Sequence, residues 1–298
     1  MAQTTLMTAL LGAMTVALTA CGGGGARSEP RAGSADQPTV DDPGPIHVHG
    51  LGSNPKDGAL FVATHTGLFR AAANQKQAVR VAGRFQDTMG FTVVGPDRFL
   101  GSGHPDGREK LPPFLGLIES RDAGQSWQPV SLLGKRDFHV LEAAGRRIYG
   151  FGSDFETREQ GLLVSDDGGR SWSARKVPET LISLAVDPDD PDRVVASGQR
   201  AVFVSDDAGR RWLPLDAPAG LLAWTDAVTI VDAKGAVHAS EHLGRARPQG
   251  KVGGQPAALD SGPEGELYVA LHDGAIKRSD DGGRSWSLRS TPTSSGNQ

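Results

Sequence analysis

Ser279-Asp-Asp-Gly-Gly-Arg-Ser-Trp286 is one of four near-copies of the same octapeptide. Residues 120–127 read SRDAGQSW, residues 165–172 read SDDGGRSW and residues 205–212 read SDDAGRRW. A short alternating run precedes each: Gly116-Leu-Ile-Glu119, Gly161-Leu-Leu-Val164, Ala201-Val-Phe-Val204 and Ala275-Ile-Lys-Arg278. Alternation at period two marks a half-buried strand, so the octapeptide reads as the turn of a hairpin. Asp122, Asp167, Asp207 and Asp281 can accept backbone N–H groups of that turn. Gly124, Gly169, Gly209 and Gly283, two residues later, can take positive φ without steric cost. Trp127, Trp172, Trp212 and Trp286 then open the outgoing strand, each with a large ring to bury against a neighbouring unit. Four of the five tryptophans fill this slot, which makes it an anchor of the core.

The pattern S-x-D-x-G-x-[ST]-W resembles the Asp-box, or BNR, repeat of sialidases, sortilin-type receptors and photosystem II assembly factors. Arg211, where Ser or Thr is the rule, is the one departure. In that family the box lies on the rim of a β-propeller, away from the axial site, so the resemblance implies a fold rather than a chemistry. Residues 46–289 are similar to bacterial Asp-box propeller lipoproteins, a group labelled glycosyl-hydrolase-like or sialidase-like after the repeat.

Eroded copies of the turn follow Gly67-Leu-Phe-Arg70 and occupy Ser240-Glu-His-Leu-Gly-Arg245. Repeat starts near 71, 120, 165, 205, 240 and 279 are then about 35–50 residues apart, the period of a four-stranded blade. Two further strands precede each marked hairpin, for example Leu181-Ile-Ser-Leu-Ala-Val186 and Arg193-Val-Val-Ala196. The expected fold is all-β: a propeller of six four-stranded blades, with seven as the alternative count. The ring is expected to close by packing of the last blade on the first, or through a short strand from Gln37-Pro-Thr-Val40.

Ahead of the repeats, Leu18-Thr19-Ala20-Cys21 ends an apolar stretch too short to span a membrane, and four glycines follow. This resembles a bacterial lipoprotein signal, implying cleavage before Cys21 and lipid on its sulfur. The expected organisation is a signal peptide over 1–20, a lipidated Cys21 with a Gly/Ser/Pro-rich linker over 21–45, and the propeller over 46–298. Such a chain would be exported and held at the periplasmic face or cell surface through its lipid. Cys21 is the only cysteine, which excludes an intrachain disulfide and a Cys-rich metal site. A net charge of -4 without a basic run argues against nucleic acid. A monomer is expected.

In a propeller the first strand of each blade lines the axis, and the loops joining second to third strands rise at the end where that strand begins. His47, His49 and His139 fall on first strands, and His65, His104 and His272 in second-to-third loops. Six of eight histidines thus converge on one axial face, where Met89 begins another first strand. In Ile46-His-Val-His-Gly50, residues two apart on an extended strand point the same way, within reach of one metal ion. With added imidazoles and a thioether, copper or zinc suits the set better than a hard cation. The competing reading is a polar lining that contacts an organic ligand, a glycan or a protein.

Glu142, Asp154 and Glu156 also reach that face. A glycosidase needs two carboxyl groups about 5 Å apart for retention or about 6.5–9.5 Å for inversion. The typical sialidase set is missing: no Arg-Ile-Pro occurs, and Tyr149 and Tyr268 sit inside second strands where core packing accounts for them. No G-x-S-x-G or H-E-x-x-H occurs either. A third class is an assembly factor that binds a membrane protein partner. The loop from Gly103 to Gly116 carries Pro112-Pro113-Phe114 and reads as a lid, a partner surface or a plain structural insertion.

Overall fold

Each octapeptide joins the third and fourth strands of a four-stranded antiparallel sheet. The computed structural model, which describes residues 42–291, contains six such sheets, each built from four consecutive strands. The fold is an all-β, six-bladed propeller, and the alternative count of seven is thereby excluded. The signal peptide, Cys21 and the Gln37–Val40 segment lie outside the described residues. No helix among the described residues is long and apolar enough to cross a membrane.

The boxes work as their chemistry dictates. Ser165 Oγ donates to Asp167 Oδ1 (2.8 Å) and accepts the Gly169 N–H (2.8 Å). Asp167 then receives the Ser171 N–H on Oδ1 (2.9 Å) and the Ser171 hydroxyl on Oδ2 (2.7 Å). Equivalent bonds close the turns at Ser120 and Ser279. In the divergent copy Arg211 Nε donates to Asp207 Oδ2 at 3.0 Å, so the guanidinium replaces the missing hydroxyl and the turn survives. Gly169 holds φ +84°, and a Cβ there would stand 2.1 Å from Leu117 Cδ2 of the preceding blade, so a side chain would strain the backbone and displace Leu117. Trp172 and Trp212 each reach back to the blade before their own, donating to Ser131 Oγ (2.9 Å) and the Lys176 carbonyl (3.0 Å) respectively.

The core lies between blades rather than within one. Second strands such as Leu60–Thr64, Val194–Gly198 and Leu267–Leu271 are buried along their whole length, because neighbours cover both faces. Phe61 of blade 1 meets Phe99 of blade 2 edge-on with centroids 4.6 Å apart. The sixth blade closes on the first: Arg289 donates to the carbonyls of Gln75 (2.7 Å) and Ala72 (2.9 Å), and the Thr291 N–H to that of Lys76 (3.2 Å).

The inner strands are Val48–Ser53, Asp87–Gly95, Arg136–Ala144, Leu181–Val186, Gly220–Trp224 and Pro256–Ser261. In five of them the pairing with the second strand skips one residue at the same phase: His49, Met89, His139, Ile182 and Ala257. A bulge leaves its extra residue unpaired and re-aims the side chain. All five, together with Leu221 of the unbulged blade 5, line the axial channel. Gly90 beside this ring has no room for a side chain, since a Cβ would stand 2.6 Å from the Phe138 carbonyl of the next inner strand.

Candidate metal centre at the axial mouth

The ring of bulge residues is chemically divided. Blades 1 to 3 contribute His49, Met89 and His139, whereas blades 4 to 6 contribute Ile182, Leu221 and Ala257. Donor atoms therefore crowd one half of the mouth.

Over the first two blades, His49 meets His65 and Asp87. His65 sits in a turn framed by threonines: Thr64 Oγ1 donates to the Gly67 carbonyl (2.7 Å) and accepts the Thr66 N–H (3.1 Å). The His65 N–H donates to the Ile46 carbonyl (3.0 Å), tying the turn to the segment before the first strand. His65 Nδ1 is 2.9 Å from Asp87 Oδ2, and His49 Nε2 is 3.6 Å from Asp87 Oδ1. One ligand atom from each of the three residues lies within 4.8 Å of the others. His49 Nε2 and Asp87 Oδ1 are both buried, and neither has a hydrogen-bond partner. Burial first, then the positive charges available to His65, His139 and His47, push His49 down to about 4, so its imidazole is neutral near pH 7. Burial holds the Asp87 carboxyl above its ordinary value against the pull of His65 and His104. Two imidazoles and a carboxylate, one imidazole already neutral, match the donor set of a zinc or copper(II) ion.

A second group stands over blades 2 and 3. His139 Nε2 donates to Asp137 Oδ2 (2.9 Å), and His104 Nε2 is 3.5 Å from that same oxygen. The loop between Gly103 and Gly116 fixes His104: the ring's Nδ1 is 2.8 Å from the Pro113 carbonyl, and Phe114 packs between His104 and Phe155 at centroid distances of 5.5 and 5.3 Å. The loop is thus a wall that orients an imidazole.

The extended His47-x-His49 pair does not form. His47 has φ +52° and the strand begins only at Val48, while His49 is the bulge residue, so the two rings do not project as strand neighbours. His65 stands between them instead, with its ring centroid 6.3 Å from each. His272 is exposed and shares with His47 a cleft between blades 6 and 1. Asp87 and Asp137, which bind the histidine groups together, escape a reading of the histidines alone. Their signal was positional: His47-x-His49, Asp87-x-Met89 and Asp137-x-His139 fall at one phase of three successive blades.

The carboxylate candidates separate. Asp154 accepts the N–H groups of Glu156 (2.9 Å) and Thr157 (3.0 Å) and faces Arg136 at 3.3 Å, which occupies it as a turn organiser. Those backbone bonds hold its carboxyl below the ordinary value. Glu156 is exposed in that turn. Glu142 lies deeper, in the channel, where Asp260 of blade 6 also lines the wall. Burial, reinforced by Asp260, raises Glu142, and burial likewise raises Asp260. No lysine or arginine lines this stretch of the channel.

No protein-family model matches the chain, and none of the curated proteins does. Solved structures do. A gluconolactonase from Xanthomonas campestris superposes with a TM-score of 0.61 at 13% identity, over 76% of this chain and 84% of that one. YCF48 from Cyanidioschyzon merolae gives 0.50 at 13%, over 84% and 88%. The GH74 xyloglucanase of Xanthomonas campestris gives 0.53 at 18%, over 82% of this chain but 45% of that enzyme. At these identities the likeness is one of fold, and function must be argued from the site. The chain is a six-bladed β-propeller with BNR-type turns, similar in fold to these three propellers.

Proposed function

We propose that this propeller, tethered outside the cytoplasm through lipid on Cys21, is a non-catalytic binder of a transition-metal ion, copper or zinc, at the mouth of its axis. His49, His65 and Asp87 are the ligands. The observation that carries the reading is the facing pair His49 Nε2 and Asp87 Oδ1, both buried and without a partner. Buried polar atoms without partners are costly, and a cation between these two satisfies both at once. When bound, the metal would take three protein ligands and keep an open position for water or an exogenous ligand. A hydrolase reading draws no comparable support: Asp154 is engaged by its own turn and by Arg136, Glu156 is exposed in that turn, and Glu142 lies in the channel.

The test is metal content. Purified protein equilibrated with Zn(II) or Cu(II) and dialysed should retain the ion, and the double variant His49→Ala/Asp87→Asn should lose the ion held there. Equal retention by the two proteins at that locus would refute the assignment. A glycan panel run alongside is expected to show no turnover by either.

A further inference from the structure

Loops joining first to second strands rise at the end of the propeller opposite the histidines. There, between blades 4, 5 and 6, opens a cavity of about 680 Å³, walled by three of these loops and by the eroded turn of blade 5. That volume falls within the range of small-molecule sites. Trp224, the one tryptophan outside the four boxes, ends the fifth inner strand beside it. The ring is half-buried, packing with Leu243 against the core between blades 4 and 5, and it also lines the cavity. Loss of the box pattern shaped the same wall. In an intact turn the aspartate carboxylate binds the hydroxyl and N–H of the serine four residues on. Blade 5 carries His242 at that place, with φ +50°, so the side chain closes no such turn and stands exposed at the cavity.

Charge in this cavity is one-sided. Asp189, Asp226 and Glu264 reach it from three different loops, all of them exposed. Arg193, the one arginine of the lining, is held by Asp187 (3.1 Å) and Asp206 (3.5 Å), which leaves the three carboxylates without a cation among the described residues. Two of the loops are braced: the Thr225 N–H donates to the Ala227 carbonyl (3.1 Å), and the Glu264 N–H to Oε2 of buried Glu266 (2.9 Å). Past Trp224 a second cavity extends to Glu142 and Asp260, whose carboxyls burial raises. Negative charge therefore continues inward from the rim. A single metal ion does not suit the arrangement, because among the described residues only His49, His65 and Asp87 bring three ligand atoms within 4.8 Å of one another. Dispersed carboxylates beside an indole suit a longer cation, since the indole face attracts an ammonium group.

We propose that this cavity binds an extended organic cation, a polyamine-like chain with two or more alkylammonium groups. Trp224 packs on the methylenes or takes an ammonium over its ring, and Asp189, Asp226 and Glu264 pair with the remaining charges. A neutral sugar could stack on Trp224 but would leave the three carboxylates without a counter-charge, and an anion would be repelled. The site is separate from the histidine mouth and shares no residue with the metal ligands.

Calorimetric titration of the metal-free full chain tests this. Spermidine should bind at low salt and more weakly as NaCl is added, and maltose should give no heat. Asp226→Asn/Glu264→Gln, at exposed positions, and Trp224→Leu should each weaken spermidine by about tenfold. Glu156→Gln/Glu159→Gln, which removes two exposed carboxylates at the mouth, should leave its affinity unchanged. Circular dichroism checks that each variant is folded; if Trp224→Leu is not, the carboxylate variant decides. No heat with spermidine, or equal affinity in the parent chain and the Asp226/Glu264 variant, overturns the proposal. Equal weakening by the Glu156/Glu159 variant means attraction to overall charge and overturns it too, as does binding of maltose instead of spermidine. With metal removed beforehand, none of these outcomes depends on the His49 site, and failure of that site would leave this one standing.

Discussion

His49 Nε2 and Asp87 Oδ1 face each other across 3.6 Å at the mouth of the propeller, and no other group hydrogen-bonds to either atom. The distance is too long for a hydrogen bond, so both atoms are desolvated without return, at about 1–3 kcal/mol each. A ligand that binds only the folded chain stabilises it by about 2.7 kcal/mol at a hundredfold excess over Kd. Zn(II) or Cu(II) should therefore raise the melting temperature, and a chelator should reverse the rise. His49→Ala should remove the part of the shift owed to this site; a melting shift identical to that of the parent chain would count against it.

The Asp-box serine makes a second prediction. Ser165 Oγ is the acceptor for the buried Gly169 N–H and the donor to Asp167. Ser165→Ala strands that N–H and should cost about 1–3 kcal/mol in urea denaturation. Arg211→Ser should behave differently. It exchanges an exposed guanidinium bond to Asp207 for the hydroxyl bond of the other boxes, and is expected to change stability by no more than about 0.5 kcal/mol. Comparable losses in the two variants would mean that the serine contributes nothing particular.

Acid should weaken these turns in a defined direction. The Ser285 hydroxyl and N–H bind the Asp281 carboxylate and bring it down to about 2 from an unfolded value near 3.8. A depressed carboxyl contributes stability above its unfolded pKa and loses it as pH falls through the folded value. The contribution should thus fade between about pH 4 and pH 2, and Asp281→Asn should flatten that part of a stability-against-pH curve; a curve parallel to that of the parent chain would contradict it.

The blades were legible because the box is local: serine, aspartate, glycine and tryptophan at fixed offsets specify a turn whatever surrounds them. The gathering of His49, His65, His104 and His139 at one face followed from blade phase alone. The His47-x-His49 pair failed because strand alternation presumes extended backbone, whereas His47 is left-handed and His49 is a bulge. Asp87 and Asp137 look in sequence like any solvated carboxylate, and only the bulged inner strands turn them toward imidazoles. The common lining by Glu142 and Asp260 was beyond reach for another reason: they are 118 residues apart and share a wall only once the ring has closed.

Glu142 offers a pH dependence of opposite sign. Burial, helped by Asp260, raises its carboxyl well above the ordinary value of 4.5, so the folded chain holds a proton that the unfolded chain has released. Stability from this group is complete below about pH 4.5 and declines as pH rises toward the folded value. Glu142→Gln keeps the shape of the neutral acid and removes the titration. The parent chain should lose stability relative to this variant as buffers are stepped from pH 5 to pH 9, with the two proteins alike at the acid end. A constant difference across the range would show that Glu142 is already ionised in the channel.

Ring closure depends on one side chain more than on any strand exchange among the described residues. Every blade is built from consecutive strands, so the sixth is joined to the first by packing and by what its outer strand can reach. Arg289 spans that seam, giving its guanidinium to the carbonyls of Ala71, Ala72 and Gln75. Hydrogen bonds from a charged donor contribute about 1.5–3 kcal/mol, and loss of the cation leaves three carbonyls without it. Arg289→Ala should cost about 2 kcal/mol or more. Arg289→Lys should recover only part, because an ammonium cannot reproduce the planar fork. Hydrogen exchange gives the sharper readout. If the seam opens, protection should fall first in residues 71–80 and in the last strand, Ser287–Ser290, while blades 3 and 4 keep theirs. Uniform loss of protection around the ring would mean that the propeller unfolds as one unit and that Arg289 is no clasp.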